Sequence, residues 1–430
     1  MSRKTQALAA LCAGLMIAAT GCGGSGDSGG GDDNTIVWWH NSNNDPGMGY
    51  YEQVAKDFEK ANPGVDVKVQ AFAHEDMLTK LDAAFQSGDP EQIPDVYMER
   101  GGGELADHVE AGLTKDLSED AAEEIDMIGG STAGWQVDGK TYALPFSIGI
   151  VGFWYNKDLF EKAGITETPE TMDDFYDTVE KLKAANIQPV SVGGKDAWPA
   201  AHYYYWTAVR ECSQDVLDSA VKSLDFSDPC FEKAGEDVED IVAKKPFNKG
   251  FLSTGAQEGP TSASGLLATE KVAMELAGHW EPGVMQGITE DKKGLGEKTG
   301  WFPFPTIEGG QGDPGAQMGG GDAWAVSEGA PEKSVDFAKY LLSTDVQKGF
   351  AENGMGLPTN PDAIESLTDP ALASLIRVRD SAPYVQLYFD TAFGQSVGGA
   401  MNDAIINVFA GKGSAADIVK ATQAAADKEK

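Results

Sequence analysis

Apolar positions early in the chain switch repeatedly between two periods. Ile36-Val37-Trp38-Trp39 is a short continuous apolar run, the pattern of a strand covered on both faces. Tyr51, Val54, Ala55 and Phe58 then recur at helical spacing, and Asn62-Pro63-Gly64 stops that helix. Val65, Val67 and Val69 alternate as a second strand. Met77, Leu78, Leu81 and Phe85 mark a second helix closed by Ser87-Gly88, and Pro94-Asp95-Val96-Tyr97 is a third strand running into Gly101-Gly102-Gly103. Strand, helix, strand, helix, strand with connections of this length predicts an α/β chain built on a parallel open sheet.

Past Trp135 the pattern changes. Asp138-Gly139 has the composition of a hairpin turn. Ala143 to Tyr155 is then a long apolar run interrupted by Gly149 and Gly152, which suits a strand crossing from one domain to another. Thr171 opens a further helix. Met172, Phe175, Val179 and Leu182 lie on one face of it, and Asp173 and Asp174 occupy the dipole-favoured first turn.

The N-terminus adds a compartment. Arg3 and Lys4 precede an apolar run, Ala7 to Ala19, of signal-peptide length and too short to span a bilayer. It ends in Ala19-Thr20-Gly21-Cys22, which resembles the bacterial lipobox. That resemblance implies removal of residues 1–21, with Cys22 becoming the lipidated first residue. Several acyl chains on one residue give stable anchoring where one would be marginal. Residues 22–34 read as a flexible tether; its glycine-, serine- and aspartate-only stretch, Gly23 to Asp33, reaches roughly 20 Å. The expected location is the extracellular face of the cell membrane, with membrane contact only through the lipid.

About 400 residues remain, enough for two domains with sizeable cores. Acidic residues number 68 against 33 basic, a formal charge of −35, which disfavours nucleic acid and anionic lipid and suits a neutral or cationic ligand. Of four cysteines, Cys12 leaves with the signal and Cys22 takes the lipid; Cys212 and Cys230, outside the cell, most simply pair as a disulfide. The five histidines form no zinc-ligand spacing, and neither metal nor cofactor is expected.

These features come together in a resemblance. VDGKTYALPF followed by WYNKDLFEKAGI, then TPETMDDF, VAMELAGHW, GWFPFP, GGGDAWAVS and STDVQKGFAENGMGLPTN, in this order and spacing, resemble the extracellular solute-binding proteins of carbohydrate-uptake ABC transporters, the maltose-binding-like branch. WWHNSNNDPG, VGGKDAWPA, the RECS…DPC cysteines and GHWEPGVM are most similar to actinobacterial binders of xylobiose or xylo-oligosaccharides. The resemblance implies the type II periplasmic binding fold, with two lobes, a ligand cleft and several interlobe crossovers. Residues 35–149 and about 316–355 would form the N-terminal lobe, and 150–315 and about 356–430 the C-terminal lobe. It also implies a monomer that closes over a neutral oligosaccharide and docks on the transmembrane subunits of an ABC permease, without catalysis.

A sugar offers apolar C–H faces ringed by hydroxyls, so its site needs flat aromatic platforms and planar hydrogen-bonding groups. Open sheets bind ligands at the carboxyl ends of their strands. The residues meeting both demands are His40 and Asn41 after the first strand, Arg100 and Gly101 after the third, and Asp322 in a glycine-rich turn. Trp198, with Asp196 beside it, and Trp280 lie in Gly/Pro-rich loops as platforms, and Tyr384, Tyr388 and Asp390 form a later aromatic-acid cluster. Each has a structural competitor: packing for the aromatics, a cap for Asp322, a simple loop for His40 and Asn41. Three other functions compete. A secreted glycoside hydrolase would need paired carboxylates, although no hydrolase motif stands out. A calcium loop would use Asn41, Asn43, Asp45 and Glu52, but Pro46 stands where it needs glycine. The solute could also be a different oligosaccharide or a peptide.

Overall fold

The three strands expected at the start form as β1 (Thr35–His40), β2 (Asp66–Ala71) and β3 (Val96–Glu99), separated by α1 (Gly47–Ala61) and α2 (His74–Ser87), with α3 (Gly102–Glu110) following. β1 runs between the other two and parallel to both. The computed structural model describes residues 34–367 and 369–430. The signal-like run, Cys22 and the tether up to Asp33 lie outside the described residues. Among the described residues no helix is long and apolar enough to cross a membrane.

The Asp138-Gly139 turn joins β4 (Gln136–Val137) to β5 (Lys140–Thr141), both turn residues having φ near +50° and +77°. The long apolar run divides as expected. β6 (Ala143–Ile150) belongs to the first sheet and β7 (Gly152–Asn156) to a second, so the chain changes lobe at Val151. The second sheet adds β8 (Gln188–Ser191), β9 (Val272–Ala277) and β10 (Thr299–Pro303) in the order β10-β7-β9-β8. β11 (Gln317–Val326) returns to the first sheet between β3 and β6, antiparallel to both. β12 (Val385–Leu387) pairs in parallel with Gln317–Gly319. Residues 385–387 were expected with the C-terminal lobe; they join the larger sheet because the first residues of β11 extend past β3 and leave an edge to satisfy.

In the first lobe Trp38 is fully buried, packing edge-on against Tyr51, Trp324 and Phe337 with centroids 5.0–5.2 Å apart. In the second, Phe153, Phe302 and Phe304 stack. The helix Trp198–Glu211 runs through that core, buried on every side after its first residue. Thr171 caps the helix Met172–Ala184 reciprocally with Asp174, as its first-turn composition predicts.

A buried arginine on the core helix ties the second lobe to a crossover. Arg210 donates to the carbonyls of Pro305 (3.2 Å), Phe304 (3.1 Å) and Ala316 (2.7 Å), and its guanidinium lies 4.6 Å over Trp206. Burying a charge is costly unless its donors are met; here they hold both ends of the segment linking β10 to β11. Two residues later, Cys212 forms the expected disulfide with Cys230 in the helix Pro229–Ala243. Replacing both cysteines with alanine is expected to remove roughly 3 kcal/mol, the loop-closure contribution for a ring of this size. The check is the urea midpoint, and an unchanged midpoint would show that the bond adds nothing to the helix packing.

Candidate functional site

A cavity of about 870 Å³ opens between the lobes. From the first lobe it is lined by the loop after β1, the start of α2, Arg100 after β3 and the middle of β11; the second lobe contributes the starts of two helices and the loop 253–262. Asn41, Arg100, Asp196, Trp198, Trp280, Asp322, Tyr388 and Asp390 all line it, so the structure brings together most of the residues chosen from sequence.

Three of those residues do not line it. His40 is the last residue of β1 and shares the face of Trp38, two positions earlier, so its ring turns into the core against Tyr51 at 4.9 Å. Burial pushes its imidazole down to about 3, and its Nδ1 accepts the Ser42 N–H at 3.1 Å. His40 therefore shapes the loop. Gly101, at φ +85°, lies under the Gly134 carbonyl, which a Cβ would meet at 2.5 Å; the reason for glycine is backbone packing. Tyr384 packs against the second-lobe core, its hydroxyl buried.

The two indoles are positioned by helix starts, where loops were expected. Trp198 opens the core helix immediately after Ala197, whose φ of +60° is rare for a residue with a side chain. That kink lets Asp196 and Trp198 both face the cavity, while Asp196 accepts the Ala256 N–H at 2.7 Å and pins the 253–262 loop. Trp280 follows the carboxyl end of β9 and caps the helix Glu281–Ile288. Its ring folds over Gly278, where a Cβ would come within 2.3 Å. The indoles stand 6.1 Å apart at 75°, forming a corner. His202, one turn after Trp198, stacks on Tyr388 (5.3 Å, 19°), and Tyr388 in turn lies over Gly320.

Asp322 sits within β11, where a turn was expected. The β-bulge between Asp322 and Ala323 breaks the strand's register there, beside a side chain that lines the cavity. Burial pushes its carboxyl up to about 7 against the pull of Arg100. Arg100 is held by Glu104 and, at 3.6 Å, by Asp390; burial opposes its charge, but these carboxylates outweigh it and keep it ionised. Glu75, in the first turn of α2, lines the cavity with its side chain exposed, and lost solvation there pushes its carboxyl up to about 7. Burial, with Arg100 second, holds His74 down at about 4, so it accepts from Asn41 Nδ2 at 3.1 Å as a neutral ring. Unpartnered polar atoms remain on Trp280 (Nε1), Tyr388 (Oη) and His202 (Nδ1) among the described residues. No group of three or more His, Cys, Asp or Glu among them could hold a metal ion.

The lobes meet across the cavity mouth. Asn43 Nδ2 donates to Glu258 Oε1 at 2.7 Å, Lys292 approaches Asp45 at 3.8 Å, and the Asp45 carbonyl sits so close to Gly287 that a Cβ there would lie 2.1 Å away. Sequence reasoning missed His74, Glu75, His202, His279 and the 253–262 loop. His202 had a signal, since it lies one helical turn from Trp198. The polar Ser253 to Ser262 segment carried only its lack of hydrophobic period.

Residues 41–348 match the family described as bacterial extracellular solute-binding protein, and the chain belongs to that family. It is 26% identical over 385 residues to the diacetylchitobiose binding protein DasA of Streptomyces coelicolor, covering 85% of this chain and 84% of that one. It is also 26% identical over 309 residues to the multiple sugar-binding protein of Streptococcus mutans, covering 70% and 69%. Two solved structures share the fold. One comes from work on xylan utilisation by the thermophilic bacterium Caldanaerobius polysaccharolyticus (TM-score 0.83, 24% identity, 91% of this chain and 99% of that one). The other is a chitin oligosaccharide binding protein (TM-score 0.82, 24% identity, 93% and 99%).

Because the Trp280 ring needs the space over Gly278, Gly278→Ala is expected to displace the indole and weaken ligand binding at least tenfold, with the melting temperature little changed. Titration calorimetry checks this; full affinity in the variant would show that the ring's seat over Gly278 is dispensable.

Proposed function

We propose that this family member is the sugar-binding component of an ABC importer, taking a neutral oligosaccharide, with xylo-oligosaccharides the leading choice. The observation that carries the reading is the pairing, in one interlobe cavity, of an indole corner from the second lobe with planar hydrogen-bonding groups from the first. Indole faces suit sugar C–H surfaces; Asn41, Arg100 and Asp322 from the first lobe, with Asp390 beside Arg100, suit the hydroxyls around them. At about 870 Å³ the cavity is at the upper end of small-ligand sites, room for more than a single ring. The relatives' names point to sugars of several kinds, so the xylo-oligosaccharide choice rests on the WWHNSNNDPG, VGGKDAWPA and GHWEPGVM stretches.

The importer cycle contains no chemistry. Sugar contacts from both lobes favour the closed form over the open one, and the closed monomer presents itself to the permease. The lipid at Cys22 keeps it near the membrane and raises its effective concentration there. A hydrolytic reading draws on Asp322 and Glu75, each pushed up to about 7 by burial and so able to hold a proton near neutral pH. Shorter products from incubated xylotetraose would favour it.

Thermal-shift screening against xylobiose, xylotriose, other di- and trisaccharides and short peptides tests the solute class, a peptide hit without a sugar hit overturning it. Trp280→Ala is expected to weaken sugar binding at least tenfold in calorimetry while the protein stays folded. Unchanged affinity would remove Trp280 from the site.

A further inference from the structure

We propose that the cleft sorts oligosaccharides by charge, admitting neutral and ammonium-bearing sugars and rejecting carboxylate-bearing ones, with Glu75, Asp322 and Asp390 as the residues that decide. The inference rests on the reading of this cavity as a sugar site and adds a criterion to it. The first observation is that the cavity's buried cation is already committed. Arg100 gives its Nε and Nη2 to Glu104 and has Asp390 3.6 Å from Nη1. A uronate reaching Arg100 would have to displace a carboxylate the protein itself supplies. The other lining cation, Lys195, is exposed at the rim beside Asp196, where water screens it.

The second observation concerns the remaining donors. His202 is only 4% exposed, lines the cavity and leaves its Nδ1 without a partner, and the Tyr388 hydroxyl beside it is likewise unpaired. Burial holds His202 down at about 4, so this pair offers neutral hydrogen bonds. They suit a hydroxyl or an acetamido group and bring no charge to meet an anion. The facing wall does not change the sign: Asp196 and Glu258 line it, each accepting a single hydrogen bond from an uncharged donor. A carboxylate in this partly desolvated space would meet Asp390 and the ionised fractions of Glu75 and Asp322, each pushed up to about 7, with little screening, whereas an ammonium would find Asp390 and draw the proton off Glu75.

Two measurements test it. Calorimetry on the full protein compares xylotriose with its glucuronate-substituted counterpart, and N,N′-diacetylchitobiose with the doubly deacetylated disaccharide. The carboxylate-bearing sugar is expected to bind at least tenfold more weakly than its neutral partner, and the ammonium-bearing one no more than threefold more weakly. A uronate bound as tightly as its neutral partner would overturn the proposal.

The second measurement needs no sugar. Seven of the nine tryptophans are buried, leaving Trp198 and Trp280 in the cleft as the accessible reporters. Relative to free tryptophan amide, caesium is expected to quench their fluorescence at least twofold better than iodide. Glu75→Gln combined with Asp322→Asn should reduce that preference, and Glu75→Gln alone serves if the double variant does not fold. An undiminished preference would assign it to the general surface charge and overturn the proposal. If no sugar binds but the preference holds and falls in the variant, the charge assignment stands and the sugar reading fails.

Discussion

The arrangement depends on how closely the chain lets two strands approach where the lobes join. β6 and β11 pair through Gly149, Gly319 and Gly321; a Cβ on Gly321 would lie 1.8 Å from the Ser147 carbonyl, and one on Gly319 2.1 Å from that of Gly149. His279, from the second lobe, fills the space the glycines leave. Its ring lies where a Cβ on Gly149 would be, and its Nε2 meets Ser147 Oγ at 2.8 Å. Burial, with Arg379 second, holds this imidazole down at about 3, so the joint is packed around a neutral ring. A side chain on Gly149 would push His279 and the second lobe away where the chain crosses, and side chains on Gly319 and Gly321 would force β11 off β6.

The site follows from that joint. His279 is followed directly by Trp280, so the residue that fixes the crossing also sets the position of that cavity-lining indole. On the other strand, Gly320 makes room for Tyr388 and the bulge at Asp322 places a carboxyl in the same space. The cavity therefore has an aromatic corner from one lobe and a polar, acid-rich wall from the other. Neither half encloses a ligand alone. The Arg100–Glu104–Asp390 group adds electrostatic character, since a buried cation surrounded by carboxylates leaves the wall net negative.

Much of this was legible in the sequence where one residue type serves one physical need. Alternating periods gave the first three strands and two helices. The Asp-Gly turn, the Thr171 cap and the glycine-broken strand at Val151 each followed from local chemistry, the polar residues at strand ends led to Asn41 and Arg100, and the late aromatic-acid cluster led to Tyr388 and Asp390. What failed depended on direction within an element. His40 and Asn41 are neighbours, but strand alternation sends one into the core and the other into the cavity. Gly101 reads as a ligand clearance, yet it makes room for backbone, while Gly320 makes room for a tyrosine ring. Glu75 was invisible because nothing local says that two helices open onto a shared space, and His202 had only its one-turn spacing from Trp198 to point to it. Arg210 carried no signal of its own; only the fold reveals the carbonyls that hold it.

The central claim is that both lobes contact the ligand and that this contact seats the Asn43–Asp45 loop on the helix Glu281–Ile288. Amide hydrogen exchange, with and without a saturating bound oligosaccharide, tests it most directly. The account predicts added protection in both segments together, because each covers the other at the cavity mouth. Protection confined to one lobe, with the sugar fully bound, would contradict it.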